Sequence, residues 1–253
     1  REQVVDLQSE RQTWSAFGGE VAAYLVDGRL PAREVVIVTQ EGTDTLAIDA
    51  ARRALQAAGA EVAAVLSVDP SLSLEREADV TEVARLVGSP HEDPEAVAAD
   101  AAAALAARLV SGSGPTDVLE GFLASGFLLN RGPGLGAAAV RALGGRDQIF
   151  LMVAGGEDEP AVDPAWFLAP LTRELARSGA SVGAAEPADT EYSFVGILRG
   201  DAAVSRLLVT QDNVDQVPGE VGLVLGLQDL VVNGRPGHYG VKDGADAVIP
   251  PLP

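Results

Sequence analysis

Four β-branched residues in unbroken succession, Val35-Val36-Ile37-Val38, constrain the fold more than any other feature of this chain. A strand with no polar alternation is buried on both faces, which suits the middle of a parallel sheet. Gly42-Thr43-Asp44 then supplies a turn and a helix N-cap, and the following helix is predicted from Thr45 to Ala58. Gly59 ends that helix, and Val62 to Val68 reads as a second strand. This is a β-α-β unit whose crossover should be right-handed.

The pattern returns later. Gln148 to Ala154 reads as a strand and Gly155-Gly156 as a turn. Asp163-Pro164 opens a helix to Arg177, Gly179 stops it, and Ala180 to Ala184 is a further short strand. Between the two units lies a helical middle over Leu74–Val87, Pro94–Leu109 and Val118–Leu129, broken by Ser111-Gly112-Ser113-Gly114-Pro115. Asp201 to Leu208 reads as a short helix and Val221 to Leu227 as a final core strand. Strand–helix alternation of this kind predicts an α/β protein, a Rossmann-like three-layer sandwich with a mostly parallel sheet. The strands near Val35–Val38, Val62–Val68, Ile149–Ala154 and Val221–Leu227 should share that sheet.

The first thirty residues form a separate pattern. Leu7, Trp14, Phe17, Val21 and Tyr24 fall on one helical face, and Gly18-Gly19 divides the run. The expectation is an N-terminal helical arm over residues 1–30, a coiled-coil remnant that joins copies of the chain into a homo-oligomer. The Rossmann-like domain then occupies residues 31–253. Arg1 is not a natural start, so an upstream segment is expected.

With 47% hydrophobic but only 4% aromatic residues, the core must rest on Ala, Val and Leu. Lys242 is the only lysine, and the net charge is −19. Such a field repels nucleic acid and anionic headgroups, so nucleic acid is not expected as a partner, while solubility alone accounts for the charge. Cysteine is absent, which excludes disulfides, thiolate metal sites and a catalytic Cys. No apolar run reaches the ~18 residues of a spanning helix, and no regular series of alternating strands suggests a membrane barrel.

Motifs for chemistry are sparse. The turns Thr39–Asp44 and Gly155–Glu159 match neither G-x-G-x-x-G nor a P-loop, and both put carboxylates where a pyrophosphate would sit. Arg131-Gly132-Pro133-Gly134-Leu135-Gly136 reads as a loop capping a helix. Glu157, Asp158, Glu159 and Asp163 read as a solvated acidic loop, since their spacing fits no EF-hand. Gly179-Ala180-Ser181-Val182-Gly183 fits G-x-S-x-G by letter, but Ser181 falls within a strand and not at a strand-to-helix elbow. The two histidines, His91 and His238, lie in polar Gly/Pro segments. With Met152 they are the only imidazole or thioether groups available as metal ligands, and Met152 reads as a packing residue. No cofactor is predicted. If the domain binds a transition metal, His238 is the expected ligand. The chain reads as non-enzymatic; the alternative is a Rossmann-like small-ligand-binding domain or enzyme with its site at the strand carboxyl ends.

Thr210-Gln211-Asp212-Asn213-Val214-Asp215, Pro218-Gly219, Val221–Leu227 and Gly234-Arg235-Pro236-Gly237-His238-Tyr239-Gly240 together resemble the end of MctB-type copper transport proteins. The first β-α-β unit, from Val35 through Val62, is also similar to theirs, and the likeness extends in order from about Gly28 to Gly240. That resemblance implies one N-terminal transmembrane helix, a coiled coil and then this domain. It also implies a place in the cell envelope and a part in copper efflux or tolerance; the family has been described as an outer-membrane channel.

Overall fold

The computed structural model describes residues 17–112, 117–132, 136–156 and 158–251. A first helix, α1, covers 17–26. Then follow β1 (Glu34–Gln40), α2 (Thr45–Ala57), β2 (Glu61–Val68), α3 (Glu77–Val87), α4 (Pro94–Ser111), α5 (Val118–Ala124), β3 (Leu128–Asn130) and α6 (Ala137–Ala142). The second half comprises β4 (Ile149–Val153), α7 (Leu168–Arg177), β5 (Ser181–Ala185), α8 (Phe194–Gly200), β6 (Val209–Gln211), α9 (Val217–Asn233) and β7 (Gly237–Tyr239).

The described strands form one sheet in the order β3-β2-β1-β4-β5-β6-β7. All neighbours are parallel except β3, which runs antiparallel to β2. β1 lies inside the sheet between β2 and β4, and its Val35 to Val38 are fully buried, as their composition predicts. Its side chains alternate between two cores. Val35 and Ile37 pack with α2 and α9, while Val36 and Val38 pack with α3, α4, α5 and α7. The protein is therefore a Rossmann-like three-layer α/β sandwich with a mostly parallel sheet.

Small residues let the helices lie close to the sheet. The face of α2 turned to the sheet is Ala47, Ala50, Ala51, Ala54 and Leu55, and Asp44 caps its start by accepting from the Leu46 amide at 2.9 Å. The helical middle is tied by Arg108 of α4. This buried guanidinium pairs with Asp117, the N-cap of α5, at 2.8 Å and donates to the carbonyls of Leu143 and Val140. It thus adds donors to the carbonyls at the end of α6.

The structure corrects several expectations. Val221–Leu227 is not a strand but the middle of α9, and the strand of that region is the three-residue β6. An apolar run of this length suits a buried strand and a buried helix equally, so periodicity cannot choose. Burial on nearly every side explains the missing amphipathic pattern. Val118–Leu129 divides into α5 and the edge strand β3. The short helix precedes Asp201, capped by Ser193, and Ser205–Leu207 is a single 3₁₀ turn. Gly18 and Gly19 do not break the arm over its described part, for α1 runs through both. Leu7 and Trp14 lie outside the described residues.

Candidate functional site

In a parallel sheet with this strand order, ligands gather at the carboxyl ends of the strands, next to the point where the order reverses. Here that point lies between β1 and β4, and it is closed. Gln40, at the end of β1, donates from Nε2 to the Val162 carbonyl at 2.8 Å. The Asp44 amide donates to the Gly155 carbonyl at 3.0 Å, and the Gly156 amide to Thr190 Oγ1 at 3.0 Å. The described residues leave a void of about 10 Å³ there, room for roughly one water and not for a cofactor.

The ends of β5, β6 and β7 hold the densest buried polar network. Glu186 follows β5 and is fully buried. Its carboxylate accepts from Ser193 Oγ, the Val195 amide and Lys242 Nζ, each at 2.9 Å, so the chain's single lysine neutralises it. Asp212 follows β6, also fully buried, and accepts from Arg199 at 2.6 Å and from the amides of Val241 and Lys242 at 2.7 and 3.1 Å. Arg199 of α8 donates further to Thr210 Oγ1 at 2.9 Å and to the Tyr239 carbonyl at 2.7 Å. Gly240 is required beside this network. Its φ is +131°, and a Cβ at that position would overlap the Asp212 carboxylate.

His238 lies within β7. Its register partner is Thr210, and its Nδ1 sits 2.9 Å from Thr210 Oγ1. Burial and the neighbouring Arg199 hold the imidazole below its ordinary pKa, while Asp246 pulls the other way. A neutral ring is the form that a metal ion binds. Among the described residues, no three His, Cys, Asp or Glu side chains come together as a metal centre.

The other singled-out residues stay apart. His91 is exposed in the loop before α4, and Met152 is buried in β4 as a packing residue. Asp158, Glu159 and Asp163 are solvent-exposed, while Glu157 lies outside the described residues. Ser181 begins β5 and is no nucleophile elbow. Pro133 to Leu135 lie outside the described residues.

Reading the residues one at a time missed Arg199, Glu186 and Asp212 as a group. Two signals were present: a solitary lysine in an arginine-rich chain, and the carboxylate of Glu186 directly after the apolar end of β5, where burial demands a partner.

A second feature stands on the other side of the closed crevice. The α2 face of the sheet carries a cleft of about 360 Å³ at the carboxyl ends of β1 and β2. Thr39 and Ser67 are register partners on that face, alongside Val65, and α2 forms the wall with Thr45, Ile48 and Arg52. Arg131 and Glu41 close the rim as an ion pair at 2.6 Å. The hydroxyls of Thr39 and Thr43 are buried and make no hydrogen bond.

Comparison with known proteins gives a consistent picture. The sequence model of the family described as "Copper transport outer membrane protein, MctB" matches residues 1–250. The protein named Copper transporter MctB in Mycobacterium leprae (strain TN) is 36% identical over 74 residues, covering 29% of this chain and 23% of its own length. Its namesake in Mycobacterium tuberculosis (strain ATCC 25618 / H37Rv) is 32% identical over 71 residues, covering 28% and 23%. The matched stretch therefore spans less than a quarter of these curated relatives.

Proposed function

The chain belongs to the MctB copper transport family, and on that premise we propose that it is the non-enzymatic, extracytoplasmic domain of a membrane-anchored protein serving copper transport or copper homeostasis. The observation that supports the non-enzymatic part is the closure of the β1–β4 crevice and of the carboxyl ends of β5 to β7. The β1–β4 crevice is filled by the Gln40 side chain, and the ends of β5 to β7 are filled by ion pairs internal to the chain. Thr210, the hydroxyl nearest an imidazole, is fully buried and already bound by Arg199, so it is not open to a substrate. No described helix is long and apolar enough to cross a membrane, and in this reading the anchor lies upstream of Arg1.

The test is made in the host cell. Deleting the gene is expected to raise cell-associated copper and sensitivity to added copper several-fold, and the full-length gene should restore both. Unchanged copper content after deletion would overturn the proposal. We place this chain's own copper contact on His238, so a full-length gene carrying His238→Ala should restore only in part. Full restoration by that variant would leave the ring with its bond to Thr210 alone.

Self-association through the arm is a further part of the proposal. Leu7, Trp14 and Val21 recur every seven residues, with Tyr24 three further on, which is the narrow seam of a coiled coil. On α1 this seam points outward, Val21 being 36% and Tyr24 87% exposed, while Val26 and Ala22 pack into the domain. This exposure supports pairing of the seam with a second copy of the chain. Light scattering should give an oligomeric mass for the parent and a monomeric one for Val21→Glu combined with Tyr24→Glu. The same mass for both would remove the idea.

A further inference from the structure

The cleft beside α2 is unexplained by anything above. Thr39 is 2% and Thr43 9% exposed, and neither hydroxyl has a hydrogen-bond partner. Native proteins rarely bury a polar group unpaired, because its lost hydration is not recovered. Both residues line a cleft whose size falls in the range of ~300–1,000 Å³ usual for small-molecule sites. The same cleft receives the amino-terminal turn of α2, a helix of thirteen residues. Ile48 and Val65 add an apolar wall.

The lining selects a class of ligand. Arg131 pairs with Glu41 at 2.6 Å and Arg52 with Asp49 at 2.8 Å, so the two guanidinium charges are cancelled by two carboxylates. A cation and an anion therefore each meet as much repulsion as attraction. The −19 charge of the whole chain further disfavours an anion. What remains is a balanced set of donors and acceptors. Guanidinium groups only donate, carboxylates only accept, and the Thr39 and Thr43 hydroxyls can do both. A ligand hydroxyl also does both, and several on one small molecule would satisfy all these groups together. We propose that this cleft binds a small neutral polyhydroxylated molecule, a polyol or monosaccharide, with Thr39 and Thr43 as its deepest contacts. This reading is independent of the copper proposal, because it rests on a different face of the sheet from the Arg199–Asp212 network and His238.

The experiment is an amide-resolved NMR titration of the chain with myo-inositol and with glucose, and in parallel with inorganic phosphate. Saturable shifts confined to the cleft, at Thr39, Gly42, Thr43 and Ser67, are expected with at least one of the two polyols. Thr39→Val keeps the shape and removes the hydroxyl. It should weaken that binding about tenfold, the effect of one lost hydrogen bond. It should also raise the melting temperature by a few degrees, since an unpaired buried hydroxyl is gone, and this shows that the variant folds. Absence of saturable shifts with both polyols would overturn the proposal. So would equal affinity in Thr39→Val, or shifts produced by phosphate alone.

Discussion

Asp212→Ala is expected to lower folding stability by about 3–5 kcal/mol, the usual cost of removing one partner from a buried ion pair. The Asp212 side chain is 0% and the Arg199 side chain 6% exposed, so the guanidinium left behind cannot recover its hydration. Two backbone amides, Val241 and Lys242, lose their acceptor as well, at roughly 1 kcal/mol each. The pair itself need not make a large net contribution, because desolvation offsets most of the attraction; the loss comes from breaking it one-sidedly. Chemical denaturation measures the effect, with Asp212→Asn as a milder companion that keeps size and an acceptor oxygen. Since Asp212 holds the segment after β7, hydrogen exchange at Val241 and Lys242 should quicken in both variants. A denaturation midpoint unchanged in Asp212→Ala would show that the network does not hold the C-terminal segment in place.

Gly219→Ala should be comparably severe. A Cβ there would overlap the Asn213 carbonyl, a backbone atom that can move only if the chain between β6 and α9 moves. Gly222 and Gly226 lie on the same helical face, where a Cβ would meet Gln211 and the packed side chains of Val209 and Tyr239. Small residues at this 3–4 spacing let α9 lie directly on β6. Overpacking of this kind typically costs about 1–3 kcal/mol and occasionally more. With backbone as the obstacle, a loss of about 3 kcal/mol is expected, even after the gain of about 1 kcal/mol from alanine's better helix propensity. Gly19→Ala is the control: it is also helical, nothing lies within 4 Å of its Cβ position, and it should be neutral or stabilising. Equal stability of Gly219→Ala and Gly19→Ala would contradict the close packing of α9 on the sheet.

Both results bear on how far the chain could be read without coordinates. β1, β2 and β4 were legible because their residues are β-branched or apolar, each has a glycine turn beside it, and a helical segment follows each before the next strand. α9 was misread as a strand from its middle seven residues. Pro218 in its first turn and the glycines at 219, 222 and 226 carry the helical period, but that signal sits in the small residues and not in the apolar ones. β3, β6 and β7 have three residues each, too few to show any period, and exist because a neighbouring strand accepts their hydrogen bonds.

The candidate sites divide in the same way. His238 could be singled out by scarcity and by its place in Gly237-His238-Tyr239-Gly240, but not its bond to Thr210, twenty-eight residues away. Lys242 could be noticed as the only lysine, while its partner Glu186 lies fifty-six residues earlier. Nothing local marks Thr39 as unpaired.

The order of apolar runs, turns and caps along the chain was enough by itself to determine a parallel α/β sandwich and its acidic, cysteine-free character. The Thr210–Asp215 and Gly234–Gly240 motifs were enough to indicate its family. Only the tertiary structure decided that Val221–Leu227 is helical, that the β1–β4 crevice is closed by Gln40, and that Arg199 and Lys242 neutralise Asp212 and Glu186. The physical reason is range. Periodicity and capping act over a few residues and are written locally, whereas burial and the pairing of charges depend on segments that meet only after the sheet has formed.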